Sequence, residues 1–128
     1  MAQATQDAAA FLERKVELAY LTAFYGGLLT AKQREVLAMY CEEDMSFGEI
    51  ARETGVSRQG VYNLVSRTAE KLFRLEEALG TAARFRHLQE GMAECLRLLD
   101  EGRASQARTA LTSIMESDME DQEDASGL

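Results

Sequence analysis

The sequence contains no proline and no tryptophan, and only nine glycines in 128 residues. Without proline, nothing has to interrupt a helix. The abundance of Ala, Leu, Glu, Arg and Gln, which lose little freedom in a helix, points to an all-α fold. Cysteine is scarce. Cys41 and Cys95 lie far apart, form no metal-type pair and read as small apolar residues near buried helical positions. His87 stands alone, so no histidine-based metal site can be assembled; it reads as a surface residue. The serines lack a histidine or lysine partner at a recognisable spacing, which leaves nucleophilic catalysis without its equipment. Glu42-Glu43-Asp44 invites comparison with a divalent-cation site, but consecutive helical carboxylates point different ways. No window of about eighteen uninterrupted apolar residues exists, so no membrane insertion is expected. No basic region followed by a short apolar run opens the chain, so no signal peptide is expected. These gaps predict a cytoplasmic protein that is not an enzyme and holds no cofactor or metal.

What is there is an ordinary globular mixture, 46% apolar and 28% charged, enough for one compact domain with an appendage. The net charge of −8 is unevenly spread. Residues 113–128 carry six acidic side chains and no basic one, so the other 112 residues sum to −2. Residues 46–75 carry five basic residues against three glutamates, a net of +2. A weakly basic island thus sits inside an acidic chain, where it could meet nucleic acid without avid binding.

Periodicity divides the chain into helices. Over 7–25, Phe11, Leu12, Val16, Ala19, Tyr20 and Ala23 form one apolar set, and Leu18, Leu21 and Tyr25 widen it. A stripe that wide suggests contact on two sides, one with the chain's own core and one with a second subunit, hence a homodimer. Gly26-Gly27 stops this helix. Thr30 with Gln33, and Ser46 with Glu49, are capping boxes that open two further helices, the first with Val36, Leu37 and Tyr40 inward and the second short, Phe47 to about Glu53. Ser57 caps a fourth helix running to Leu79 before Gly80. A fifth, from Thr81 to about Leu99, shows Phe85, Leu88, Met92, Leu96 and Leu99 at three-four spacing. A sixth, about 104–117, presents Ala107, Leu111, Ile114 and Met115, and the two together predict an antiparallel hairpin. Met39, Met92 and Met115 read as gap fillers in cores, and too scattered to line a groove for apolar helices. The tail from 118 is too acidic to pack and is expected to be disordered. The domain plan is therefore 1–80, 81–117 and a tail, 118–128.

One stretch carries functional information. Residues 47–66 read FGEIARETGVSRQGVYNLVS. Ile50 and the small Ala51 suit the inner face of a first helix, Gly55 suits a turn that needs positive φ, and Val56, Val61 and Leu64 suit the plugs of a helix-turn-helix. The second helix would then expose Arg58, Gln59, Tyr62, Asn63, Ser66 and Arg67. Arg58 could fork onto a guanine edge, and Gln59 or Asn63 could bind adenine through a matching donor–acceptor pair. Arg67, Lys71 and Arg74 suit phosphates, with Arg67 also within reach of bases or of a protein partner.

Residues 24–72 resemble the YlxM-like bacterial proteins. The resemblance rests on Leu29-Thr30…Lys32-Gln33, the Glu43-Asp44…Ser46 step and Ser57-Arg58-Gln59…Val61-Tyr62, and covers about 1–80. It implies a sigma region 4-like helix-turn-helix, a three-helix core of the winged-helix superfamily type. The long first helix precedes this core and the hairpin follows it. The resemblance also implies a small cytoplasmic accessory or regulatory protein, linked through gene neighbourhood to the signal recognition particle pathway. Duplex DNA, or the protein or RNA of the particle, become the expected partners. Asn63 stands where the family pattern suggests an acidic residue, which would favour bases or phosphates, and the hairpin after Gly80 reads as an elaboration. Two alternatives stand beside this reading. One is a sequence-specific DNA-binding transcriptional regulator; the other is a protein–protein adaptor on an inherited scaffold. The acidic tail could also mimic nucleic acid and shield the basic helix.

Overall fold

The computed structural model describes residues 14–126, with side chains through 121; the expected start of the first helix, including Phe11 and Leu12, lies outside the described residues. Among the described residues the chain forms six α-helices and no strand. They are α1 (Lys15–Tyr25), followed by a 3-10 turn (Gly26–Leu28), α2 (Ala31–Cys41), α3 (Phe47–Thr54), α4 (Arg58–Leu79), α5 (Thr81–Asp100) and α6 (Ala104–Ser126). They fall into two compact units, residues 1–82 and 83–128.

In the first unit, local chemistry sets each boundary. The Thr30 hydroxyl accepts from the Gln33 amide at 3.1 Å while the Gln33 side chain accepts from the Thr30 amide at 2.9 Å. Ser46 and Glu49 repeat this exchange at the start of α3, at 3.1 Å both ways. Each box satisfies two backbone donors that a helix start leaves without partners. Accepting the Ser46 backbone N–H also holds the Glu49 carboxyl below its ordinary range. Gly55 ends α3 at φ 75° and Gly80 ends α4 at φ 63°, left-handed positions that favour glycine.

The long α4 is the centre of this unit and packs against α1, α2 and α3. Its Val61, Val65, Ala69 and Leu72 are buried with Val36 and Leu37 of α2 and Ile50 of α3. From α1, one of the two expected apolar sets turns fully inward, while the other splits, with Tyr20 packed partly against the core. Leu18, Leu21 and Tyr25 are buried, whereas Val16 is 86% exposed and Ala23 is also exposed. Full burial of each large side chain contributes about 1.5–3 kcal/mol. The buried Thr68 hydroxyl donates to the Leu64 carbonyl at 2.7 Å, so it carries no unpaired donor into the core. At the end of α4, the Tyr25 hydroxyl donates to the Glu76 carboxylate. The Thr81 amide donates back to Tyr25 at 3.2 Å and the Ala82 amide to Glu76 at 3.0 Å, giving the first donors of α5 their partners. Burial, reinforced by Glu76, pushes the Tyr25 phenol up.

In the second unit, α5 and α6 run antiparallel. Arg84 holds Asp118 through two hydrogen bonds of 2.6 and 2.7 Å, and Gly91 lies against Ile114. A Cβ on Gly91 would stand 2.5 Å from Ile114 Cδ1, so any other residue there would make the Ile114 side chain shift. Cys95, Leu98 and Ala107 are buried between them, with Leu88 and Ile114 half-buried. The expected seam is therefore wrong in part. Phe85, Met92, Leu96 and Leu99 of α5, and Leu111 and Met115 of α6, are exposed, and Met92 and Met115 fill no core gap. The true seam lies about a quarter-turn away, where small residues let the helices close.

The last helix also continues past its expected end near 117, to Ser126. Acidity argued for disorder from 118, but the segment contains no glycine or proline before Gly127, and five of its nine residues from 118 to 126 are Met, Glu, Gln or Ala, which favour helix. Asp118, assigned to the tail, is held by Arg84. No helix among the described residues is long and apolar enough to cross a membrane.

Candidate nucleic-acid interface

The expected helix-turn-helix is α3, the turn Gly55–Ser57, and α4. Ser57 caps α4 by accepting from the Gly60 amide at 3.0 Å. Gly60 is fixed by space: a Cβ there would stand 2.8 Å from Val56 Cγ1 and 3.0 Å from Ser57 Oγ. This tight start leaves the first turn of α4 open to solvent, with Arg58 and Gln59 both exposed.

The structure gathers Arg58, Gln59, Tyr62 and Phe47 around one open cleft of about 520 Å³. Tyr62 is half-buried rather than freely exposed, because its ring meets the Phe47 ring edge-on at 5.6 Å. Phe47 in turn stacks on Tyr40 at 5.1 Å. Gln59 donates to the Asn63 side-chain carbonyl at 3.1 Å. The pair is thereby held in one orientation, with the Asn63 amide group free to donate and the Gln59 carbonyl free to accept. That is the donor–acceptor pairing an adenine edge requires.

Further along α4, Arg67, Lys71 and Arg74 line a second, shallower depression of about 280 Å³ together with Glu70 and Leu75. The three differ in availability. Arg67 is exposed and makes no ion pair among the described residues. Lys71 donates to the Leu28 carbonyl at 2.6 Å, tying α4 to the 3-10 turn, and Arg74 is paired with Glu70. Ser66, expected on the exposed face, instead turns its hydroxyl inward, where it finds no hydrogen-bond partner among the described residues.

Sequence reasoning missed the aromatic floor of the cleft. Its signal was Phe47, a large ring immediately after the Ser46 cap, where an exposed helix start would ordinarily be polar. Behind it, Lys15 lies 4.2 Å from the Tyr40 ring centre and binds Asp44 at 2.7 Å, which raises the lysine and lowers the aspartate from their ordinary values. Burial pushes the Cys41 thiol up to about 11, so it is inert as a nucleophile at neutral pH. Among the described residues no group of three or more His, Cys, Asp or Glu could hold a metal ion.

A capped short helix, a glycine turn and a second helix with an open, basic and amide-bearing first turn define a helix-turn-helix protein. Comparison with known families agrees. Residues 12–117 match the family UPF0122, described as "Putative helix-turn-helix protein, YlxM / p13 like". A UPF0122 protein of Halalkalibacterium halodurans is 36% identical over 105 residues, spanning 82% of this chain and 96% of that one. A relative from Bacillus cereus strain AH187 is 41% identical over 90 residues, 70% of this chain and 82% of its own. The chain belongs to the UPF0122 family. Because the match extends to residue 117, the α5–α6 hairpin is part of what the family shares, not an elaboration outside it.

Proposed function

We propose that this chain is a non-enzymatic, cytoplasmic accessory or regulatory protein that contacts duplex nucleic acid through the first turns of α4. The observation that carries this reading is the exposed group Arg58, Gln59 and Asn63, with the two amides already hydrogen-bonded to each other, above an aromatic floor. Arg58 and the Gln59–Asn63 pair read base edges in the major groove; Tyr62 braces them. Arg67 is the first phosphate contact, and Lys71 and Arg74 join it by exchanging their present partners. The family resemblance supports a role in the signal recognition particle pathway, with a sigma region 4-like core as the reading head. The net charge of only +2 over 46–75 fits modest affinity that a homodimer would double in footprint.

The test is selection of a random duplex DNA pool on the full chain, followed by titration of the enriched and unenriched duplexes at two salt concentrations. Arg58→Ala should lose the preference between them. Arg67→Ala should weaken both alike and flatten the log–log salt dependence by about one unit. No enrichment, with recovery of targeting-pathway protein from nuclease-treated cytoplasm, would replace this reading with a protein–protein adaptor.

A further inference from the structure

Phe47 is the first residue of α3, directly after the Ser46 cap, yet it carries a large apolar ring to the mouth of α4. That ring is held in place. Tyr40 of α2 stacks on it at 5.1 Å with the ring planes 16° apart, and Tyr62 of α4 meets it at 5.6 Å and 86°. All three rings are only partly buried against the core. Phe47 and Tyr62 line the open cleft of about 520 Å³ together with Arg58 and Gln59.

Helical spacing makes this one surface. Tyr62 stands four residues after Arg58 and three after Gln59, and Asn63 stands four after Gln59, separations that make neighbours on a helix. The Gln59–Asn63 pair, joined at 3.1 Å, offers one donor and one acceptor. Immediately beside this polar pair lies a floor of aromatic carbon.

We infer that this floor is a subsite for the 5-methyl group of a thymine, an assignment that rests on the base-reading role proposed above for the first turns of α4 and narrows the nucleic acid to duplex DNA. The polar atoms that bases present in the major groove are hydrogen-bond donors and acceptors, and the one sizeable apolar group there is the thymine methyl. A polar atom pressed onto Phe47 and Tyr62 gives up water and gains no partner. Cytosine brings an amino donor and no methyl, so it leaves the floor uncovered; thymine covers it. An adenine held by Gln59 and Asn63 brings a thymine in the same base pair, so amide pair and floor select the same kind of step. Duplex RNA has uracil in place of thymine, and its deep, narrow major groove is closed to side chains.

The experiment uses the full chain and the DNA duplex enriched by selection. Each thymine is replaced in turn by deoxyuridine, which removes one methyl group. At one thymine, or at two adjacent ones, the dissociation constant should rise about fourfold, the worth of one buried methyl. 5-Bromodeoxyuridine at the same position, with a bromine close to a methyl in size, should restore binding. Phe47→Ala, checked for unchanged helicity by circular dichroism, should bind thymine and uracil duplexes equally. Arg67→Ala should weaken both and keep the fourfold difference. The deoxyuridine scan leaves the protein untouched, so it decides the matter even if Phe47→Ala does not fold. An enriched duplex indifferent to every methyl would overturn the subsite and leave base reading by α4 standing. So would a methyl effect that persists in a folded Phe47→Ala, because the methyl would then act through the shape of the duplex. Equal affinity for an RNA duplex of the same sequence would overturn it as well. Failure to enrich any duplex would remove the base-reading role itself, and the subsite with it.

Discussion

The two units of this chain are both helical, yet they solve the burial problem differently. In residues 1–82, α1, α2 and α3 pack around α4 and enclose a core in which Leu18, Val36, Ile50, Val61 and Leu72 are completely buried. In residues 83–128, two helices meet along small residues and leave their largest apolar side chains in water. The first unit has the inner and outer faces of a finished domain. The second has the composition of a core without the enclosure of one. Apolar content alone therefore says little about burial; what decides it is how many elements are available to cover each face.

The sharpest way to break this contrast is to delete the same side chain in each unit. Leu72→Ala opens a cavity in the enclosed core and should lower stability by about 2–5 kcal/mol in denaturant unfolding. Leu96→Ala, at a position half open to water, should cost under about 1 kcal/mol when measured where the chain is monomeric. Equal losses would mean that the hairpin face is covered within the monomer.

A smaller effect probes the hairpin's own seam. Gly91→Ala places a methyl group 2.5 Å from Ile114 Cδ1 and should cost about 1–3 kcal/mol as the Ile114 side chain is made to shift. Trimming the obstacle with Ile114→Ala in the same chain should recover part of that loss, which hydrogen exchange on α5 and α6 would report. If Gly91→Ala is neutral alone, the two helices do not approach as closely as their seam indicates.

These positions also show what the sequence makes legible. Thr30, Ser46, Ser57, Gly55 and Gly80 announce helix ends because capping and left-handed turns are local chemistry, decided within four residues. The inner residues of α3 and α4 were equally readable, since the helix-turn-helix spacing ties them together. The seam of the hairpin was not. Its strongest periodic signal, Phe85 to Leu99, marks the open face, while the contact is made by Gly91, Cys95 and Leu98, whose small or irregular members carry no stripe. At the interface, Arg58 and Gln59 were predictable from the cap that exposes them. The inward turn of Ser66, the bracing of Tyr62 by Phe47 and the engagement of Lys71 by Leu28 depend on contacts between elements, which no local pattern encodes.

The smallest expected difference between the units concerns acid. Glu49 in the first and Asp118 in the second both sit below their ordinary carboxylate values of 4.5 and 3.8, Glu49 through the Ser46 amide and Asp118 through its hydrogen bonds with Arg84. A depressed folded value means that each contact contributes fully above the ordinary value and is lost as the pH falls through the folded one. Losing Glu49 frays one helix start that an enclosed core still holds. Losing Asp118 releases a tie between two helices that share only a narrow seam. As the pH falls below about 4, amide protection should therefore fall first in α5 and α6 while α2, α3 and α4 remain protected. Asp118→Asn removes the titrating charge, so the hairpin of that variant should already show its reduced protection at neutral pH and change less on acidification. Simultaneous loss of protection in both units would show that they open as one cooperative body, and that the contrast in enclosure carries no contrast in stability.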